Sequence, residues 1–254
     1  MPPVTTWLGL TPAPYAFGRS WASYTSTGDY VSTTAGFPSS GTNFGGHWAP
    51  LIVQTFSRGL GFQTWGVGDS NMAGTGSPGG LMGFYRRATL ALGRRIPTIG
   101  ANFNQPGSDP PTYMANVANI LDAVRPSGLV MFPFSFNGGA ATQTKLDTDW
   151  AAGMLLAERV QRQGGVPVLM GYPPRPAMTA DQDAIRLQSL QRIAAARANG
   201  MRGVDTNAVI AVPGAPQTWA PGMSDVAEMH YSGDGHAVVG DALIPELAEA
   251  FGIY

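Results

Sequence analysis

From Gln63 onward the sequence predicts an α/β fold built on a parallel sheet with helices on both faces. Three observations carry this expectation. Short apolar runs alternate with longer stretches of helical period, the pattern of successive βαβ units. Glycines and capping residues punctuate the alternation at helix ends. Leu129–Phe134 is almost wholly apolar, as a strand covered on both faces should be. A chain of 254 residues suffices for one large domain of this kind plus an extension.

Taken in order, Gln63–Val67 is the first strand of this part, with Trp65 and Val67 suited to a pleat and glycines permitting close approach. It runs into Gly68-Asp69-Ser70-Asn71. Leu81–Leu92 follows as a helix with Leu81, Phe84, Tyr85, Ala88 and Leu92 on one face. Ile96–Ala101 is the second strand. Asp109-Pro110 starts a helix, a cap followed by proline at the first helical position, which runs to about Val124. After Leu129–Phe134 comes a helix over Thr148–Gln163, ended by Gly164-Gly165, and a strand over Val166–Met170. Thr179 and Gln182 form a capping box for a helix to Ala198, closed by Asn199-Gly200. Met201–Val204 is the last strand, Val209–Ser224 a loop, and His236–Phe251 a final helix bent at Pro245. The strand count from Gln63 is five.

Residues 1–62 differ. They are rich in Gly, Ser, Thr, Pro and aromatics, with no helical period and with short β pieces at Trp21–Thr25 and Asp29–Thr33. They are expected to be an N-terminal extension or small accessory segment, either docking a partner or wrapping its aromatics onto the main domain. His47, between Gly46 and Trp48, is read as structural.

Composition narrows the function classes. Charged residues are 12% of the chain and the net charge is −1, so no basic footprint for nucleic acid is present. No apolar run approaches the length of a membrane span, and no signal peptide is visible at the N-terminus. Cysteine is absent, which removes disulfides, thiol catalysis and thiolate metal sites. The letters of Gly74-Thr-Gly76-Ser-Pro-Gly79 match a dinucleotide fingerprint. They do not directly follow a strand, however, and an arginine stands where the ribose-binding acid belongs. With no P-loop and no histidine–carboxylate metal spacing, no cofactor is expected. Oligomeric state and compartment do not follow from the sequence.

The chemistry concentrates in loops. A parallel sheet brings the loops after its strands to one rim. These loops carry Gly68-Asp69-Ser70-Asn71, then Asn102–Ser108 with Gly107, then Ser135-Phe136-Asn137-Gly138. The segment before the last helix carries His230-Tyr-Ser-Gly-Asp-Gly-His236. A serine hydroxyl needs a neighbouring base to act as a nucleophile, and histidine is the usual one. The anionic tetrahedral intermediate needs fixed donors, which backbone N–H groups and an asparagine amide can supply.

With these pieces in this order, the chain resembles the SGNH (GDSL-like) hydrolases over Gln63 to the C-terminus. Gly68-Asp69-Ser70 matches the first block, Gly107 the second, Asn137 the third, and the run from His230 the terminal block. The resemblance implies a flavodoxin-like three-layer α/β/α sandwich with a five-stranded parallel sheet. It also implies a serine ester hydrolase: Ser70 as nucleophile, His230 as base, and an oxyanion hole from the N–H groups of Ser70 and Gly107 and the Asn137 side chain. Asp69 is expected to brace its loop. There are departures. The third block lacks the aspartate that usually follows its asparagine, having Gly138 instead. The acid usually found three residues before the histidine is replaced by Ala227. Glu228, Asp225 or no carboxylate could then support His230, and His236, with Asp234 beside it, is a rival base. The expected substrate is a small-molecule or glycan ester bearing a short acyl group, acetyl on a carbohydrate being one form. A broad short-chain esterase or lipase is the second reading. A non-catalytic module of a secreted or virion assembly that keeps the fold is the third.

Overall fold

The computed structural model describes residues 61–77, 82–121, 125–176 and 178–253, together with a two-stranded pair formed by β1 (Tyr24–Thr25) and β2 (Thr42–Asn43), which run antiparallel. The remaining expectations for residues 1–60, including the strand at Asp29–Thr33, the docking role and the place of His47, lie outside the described residues.

The main sheet starts with β3 (Phe62–Gly68), whose residues from Gln63 to Gly68 are all buried. Its neighbours are β4 (Thr98–Asn104) on one side and β5 (Gly128–Met131) on the other, followed by β6 (Val166–Met170) and β7 (Arg202–Val204). All pairings are parallel, in the order β4-β3-β5-β6-β7. The chain therefore leaves β3 toward one edge and returns past it toward the other. Such a reversal opens a crevice at the carboxyl ends of the strands, where β3 and β5 lie side by side.

The connections are helical: α1 (Ser70–Ala73), α2 (Phe84–Gly93), α3 (Pro110–Leu121), α4 (Gln143–Arg162), α5 (Ala180–Ala198), α6 (Asn207–Ile210) and α7 (Gly233–Ala250). Helices α2 and α7 pack together on one side of the sheet, and α3, α4 and α5 follow one another on the other. The five-stranded α/β sheet expected from the sequence is present. Its core holds Phe84, Tyr85, Val130, Phe132, Val168, Tyr172, Val239 and Leu243, each no more than 2% exposed. Burial of such side chains is worth about 1.5–3 kcal/mol each.

Several boundaries differ from expectation, for physical reasons. Strand β4 begins and ends later than Ile96–Ala101 because its register with β3 pairs Gly66, Val67 and Gly68 with Asn102, Phe103 and Asn104. It is an edge strand with several exposed residues, so its own sequence signals its length weakly. Helix α4 starts well before Thr148, because the Thr142 hydroxyl accepts from the Lys145 N–H at 3.2 Å and caps it. Val209–Ser224 is more than a loop: after α6 come β8 (Ala211–Val212) and β9 (Ala215–Trp219), paired antiparallel. Helix α7 starts at Gly233, before His236, because Ser232 caps it through the Gly235 N–H at 3.0 Å; it continues through Pro245. The predicted capping box of α5 is present in both directions.

Candidate active site

Strand β3 delivers Ser70 to the carboxyl rim. Gly68 lets Met72 and the Phe132 ring close onto the backbone there, since a Cβ on it would stand 2.9 Å from both. Asp69 then caps α1 by accepting from the Asn71 N–H at 2.9 Å, which leaves Ser70 as the first helical residue. The N–H groups of a first turn have no partner within the helix, so donors collect around this serine.

His230 arrives from the other end of the chain. Gly76, with φ +90°, lies so close to the Tyr231 carbonyl that no side chain would fit between them, and this seats the histidine segment against the loop after α1. His230 Nε2 lies 2.9 Å from Ser70 Oγ, and His230 Nδ1 lies 3.0 Å from Asp225 Oδ2. A carboxylate only accepts, so the ring proton sits on Nδ1 and Nε2 is left to accept from the serine hydroxyl.

Asp225 is built into a closed loop. Its N–H donates to the His230 carbonyl at 2.8 Å, and its Oδ1 accepts from the Met229 N–H at 3.0 Å and the His230 N–H at 3.3 Å. Partial burial alone would raise its pKa, but the His230 ring and these two N–H groups outweigh that and hold it below the usual carboxylate value. Glu228, the other carboxylate named from the sequence, is not brought to the imidazole. It is exposed, takes the left-handed conformation that closes the loop (φ 53°), and uses its carbonyl to accept from Trp219 Nε1 at 3.1 Å. The loop is wide enough for an acid five positions before the histidine to fold back onto it.

The rival base is placed elsewhere. His236 is fully buried in α7; its Nδ1 accepts from the Phe84 N–H at 3.2 Å and its Nε2–H donates to the Thr75 carbonyl at 3.0 Å. Burial, with smaller contributions from Arg87 and His230, lowers its pKa to about 4 despite the Thr75 contact. Both ring nitrogens are committed to backbone. Asp234, beside it in sequence, is exposed in the first turn of α7.

Asp69 ties three loops together. It is wholly buried, and its Oδ2 accepts from Tyr172 at 2.6 Å, from Ser135 Oγ at 2.9 Å and from Asn137 Nδ2 at 3.1 Å. Burial, then the adjacent Asp69 charge, pushes the Tyr172 hydroxyl well above its ordinary pKa, so it remains a donor. Asn137 Nδ2 also donates to the Ser108 carbonyl at 3.2 Å, so both of its amide hydrogens are engaged in this state. Gly107 lies in the turn Gln105–Ser108, closed by the Ser108 N–H donating to the Gln105 carbonyl at 3.1 Å; its φ of +79° is the conformation glycine accommodates. That loop is held at the rim by the Gln105 N–H donating to the Gly68 carbonyl at 2.8 Å.

The structure thus brings Ser70, His230 and Asp225 together and ties Asn137 to Asp69, the residue before Ser70. Two participants were not singled out from the sequence, Tyr172 and Arg175. Both follow β6, and extending the strand-end rule to that fourth loop would have flagged them. Among the described residues, no group of three or more His, Asp or Glu side chains is placed to hold a metal ion, and no helix is long and apolar enough to cross a membrane.

No protein-family model and no curated protein sequence matches the chain. Solved structures do. A lipase/acylhydrolase from Enterococcus faecalis aligns with a TM-score of 0.58 at 15% identity, over 74% of this chain and 96% of that one. A GDSL-like lipase from Bacteroides thetaiotaomicron aligns with a TM-score of 0.57 at 15% identity, over 74% and 88%. A family 3 carbohydrate esterase from Clostridium thermocellum aligns with a TM-score of 0.53 at 15% identity, over 76% and 98%. What is shared at these identities is the fold: the five-stranded parallel sheet with its flanking helices is the fold of these GDSL-type hydrolase structures.

Proposed function

We propose that this chain is a carboxylic ester hydrolase that uses Ser70 as nucleophile. The observation that carries the reading is the chain of contacts from Ser70 Oγ through His230 to Asp225, at 2.9 and 3.0 Å. In the first step His230 Nε2 takes the hydroxyl proton as Ser70 Oγ attacks the acyl carbonyl. The carbonyl π pair becomes the oxyanion. Collapse of the tetrahedral intermediate breaks the ester C–O bond, and the imidazolium returns its proton to the departing alkoxide. Water then attacks the acyl-serine with His230 again as base, and the acid leaves as Ser70 regains its proton. Asp225 orients the imidazole and stabilises its charged form.

The N–H groups of Ser70 and Gly107 and the Asn137 side chain are the proposed oxyanion donors. For Asn137 this requires the Ser108 carbonyl to yield one amide hydrogen when the substrate carbonyl arrives. Asp69 would keep the other, so the side chain stays oriented as it turns donor.

The acyl group is proposed to be short, acetyl above all, and carried by a carbohydrate. In support, a fold neighbour is described as a carbohydrate esterase, and the cavity lined by Arg175, which bonds Asn137, includes Thr179, Asp183, Gln217 and Thr218, all hydrogen-bonding side chains. A different observation favours a broad short-chain esterase or lipase: Val226 and Met229, 106% and 38% exposed, sit on the same loop as His230.

The test is labelling by a fluorophosphonate. Wild-type protein is expected to be modified and Ser70→Ala is not. Absence of labelling would leave the fold as that of a non-catalytic module and overturn the reading. Turnover of nitrophenyl esters from acetate to octanoate, set beside acetate release from acetylated glycans, then separates the two substrate classes.

A further inference from the structure

Arg175 is a charged group at the rim that the reaction above does not use. Its guanidinium lies 5.4 Å from the Phe136 ring centroid and 5.8 Å from that of Tyr172, and stacking on two rings holds it in place. Hydrogen bonding satisfies it poorly. Nη2 donates to Asn137 Oδ1 at 3.4 Å and to the Tyr172 hydroxyl at 3.3 Å, both long, and Nε is buried without an acceptor. None of the ion pairs among the described residues includes Arg175. A guanidinium carries five donors and a permanent charge, and holding it half-buried and under-bonded is costly unless a ligand completes it.

Arg175 also lines a cavity of about 610 Å³, with Thr179, Asp183, Leu187, Trp219 and Glu228 among its other walls. That size suits a small-molecule ligand and far exceeds what an acetyl group fills. Ser70 and His230 are not among its walls; its link to them runs through Arg175, which donates to Asn137 Oδ1, and through Glu228, two residues before His230. Its two acids do not neutralise the arginine. Asp183 is paired with Arg186 at 2.8 Å, and Glu228 is exposed to solvent, which screens it. In the first turn of α5 the capping box engages the Thr179 and Gln182 N–H groups.

We propose that this cavity receives the alcohol portion of the substrate and that Arg175 selects for a carboxylate on it. The inference rests on the ester-hydrolase reading, because a short acyl group leaves this volume to the alcohol side. A carboxylate matches the planar fork of the guanidinium and its charge.

The substrates 4-acetoxybenzoate and 4-acetoxybenzamide have the same scissile ester and nearly the same shape, and differ in charge at the far end of the alcohol. Wild-type protein is expected to favour the benzoate by about tenfold or more in kcat/KM, the scale of a hydrogen bond to a charged group. Arg175→Gln should abolish that preference through KM, and Arg175→Lys should keep part of it. Loss of Asn137 bracing would lower both substrates alike, so the ratio isolates recognition from positioning. No preference in wild type, or an equal fall for both substrates in Arg175→Gln, overturns the proposal. Calorimetric binding of the product analogue 4-hydroxybenzoate provides a second readout. Wild-type protein that is neither labelled by fluorophosphonate nor able to turn over either ester, yet binds 4-hydroxybenzoate in an Arg175-dependent way, would refute the hydrolase reading and keep the carboxylate site. Labelling and turnover without such discrimination would do the reverse.

Discussion

His230 and His236 lie on one short stretch of chain and have opposite surroundings. His230 is partly exposed, with one ring nitrogen on a carboxylate and the other on a serine hydroxyl. His236 is fully buried, with one nitrogen on a backbone N–H and the other on a backbone carbonyl. The first arrangement leaves a proton free to move between side chains, and a carboxylate stands ready to balance the resulting charge. In the second, both nitrogens bond to backbone groups that cannot balance a positive charge, and burial lowers the pKa to about 4. Histidine chemistry is therefore set by what the second nitrogen touches.

The sharpest way to break this contrast is to remove each partner in turn. Ser70→Ala or His230→Ala is expected to lower kcat for a nitrophenyl ester on the order of 10⁶-fold, the scale seen when a serine protease loses its nucleophile or base. A small loss in His230→Ala alone would move the base elsewhere. Asp225→Asn should cost roughly 10⁴-fold, because an amide can stabilise the wrong tautomer. Glu228→Gln should cost less than about tenfold; the opposite ranking would return the role to Glu228. Replacing Asn137 by Ala is expected to lower kcat by roughly 10²–10³-fold. Since Asn137 also bonds Asp69 at 3.1 Å, its thermal stability should be measured alongside to separate a lost donor from a disturbed loop.

The same contrast explains what could be read in advance. The capping box at Thr179 and Gln182 and the strand Val166–Met170 were legible because their signals are local: a side chain bonding three residues on, or an apolar run between breakers. The length of β4 and the pairing of β8 with β9 were not, because partner strands decide them. Ser70, Asn137 and His230 stood out as residues at strand ends and before the last helix, and a parallel sheet gathers such positions. The choice between Asp225 and Glu228 stayed open, since it depends on how the loop closes. A left-handed backbone at Glu228 and an Asp225 N–H donating to the His230 carbonyl are properties of that closed loop, not of spacing. The fourfold convergence on Asp69 was equally hidden, because its partners are Asn71, Ser135, Asn137 and Tyr172, the last three far from Asp69 in sequence.

The smallest expected effect on turnover belongs to His236, and its signature is stability. In the unfolded chain a histidine takes up a proton near pH 6.5, whereas the buried His236 does so only near pH 4. Between those values the unfolded state binds more protons, so stability falls as pH drops through this window. The fall from this one group amounts to about 3 kcal/mol by its lower end. Asp149 acts in the opposite sense: burial raises its pKa to about 6 despite its contact with Lys145, so the native state takes up its proton first and gains stability as pH falls over part of the same range. The two oppose each other in the wild-type curve, which makes the difference between variants the informative quantity. His236→Gln keeps a donor and an acceptor but cannot titrate. Measured by urea unfolding at pH 7 and pH 4.5, it should be less stable than wild type at the higher pH, by about 1–3 kcal/mol if the new amide fails to reach both backbone groups. It should close that gap as the pH falls, while kcat at pH 7 stays within a few-fold of wild type. A gap that does not narrow would mean that His236 is not held neutral by burial, and a large loss of kcat would draw it into the reaction after all.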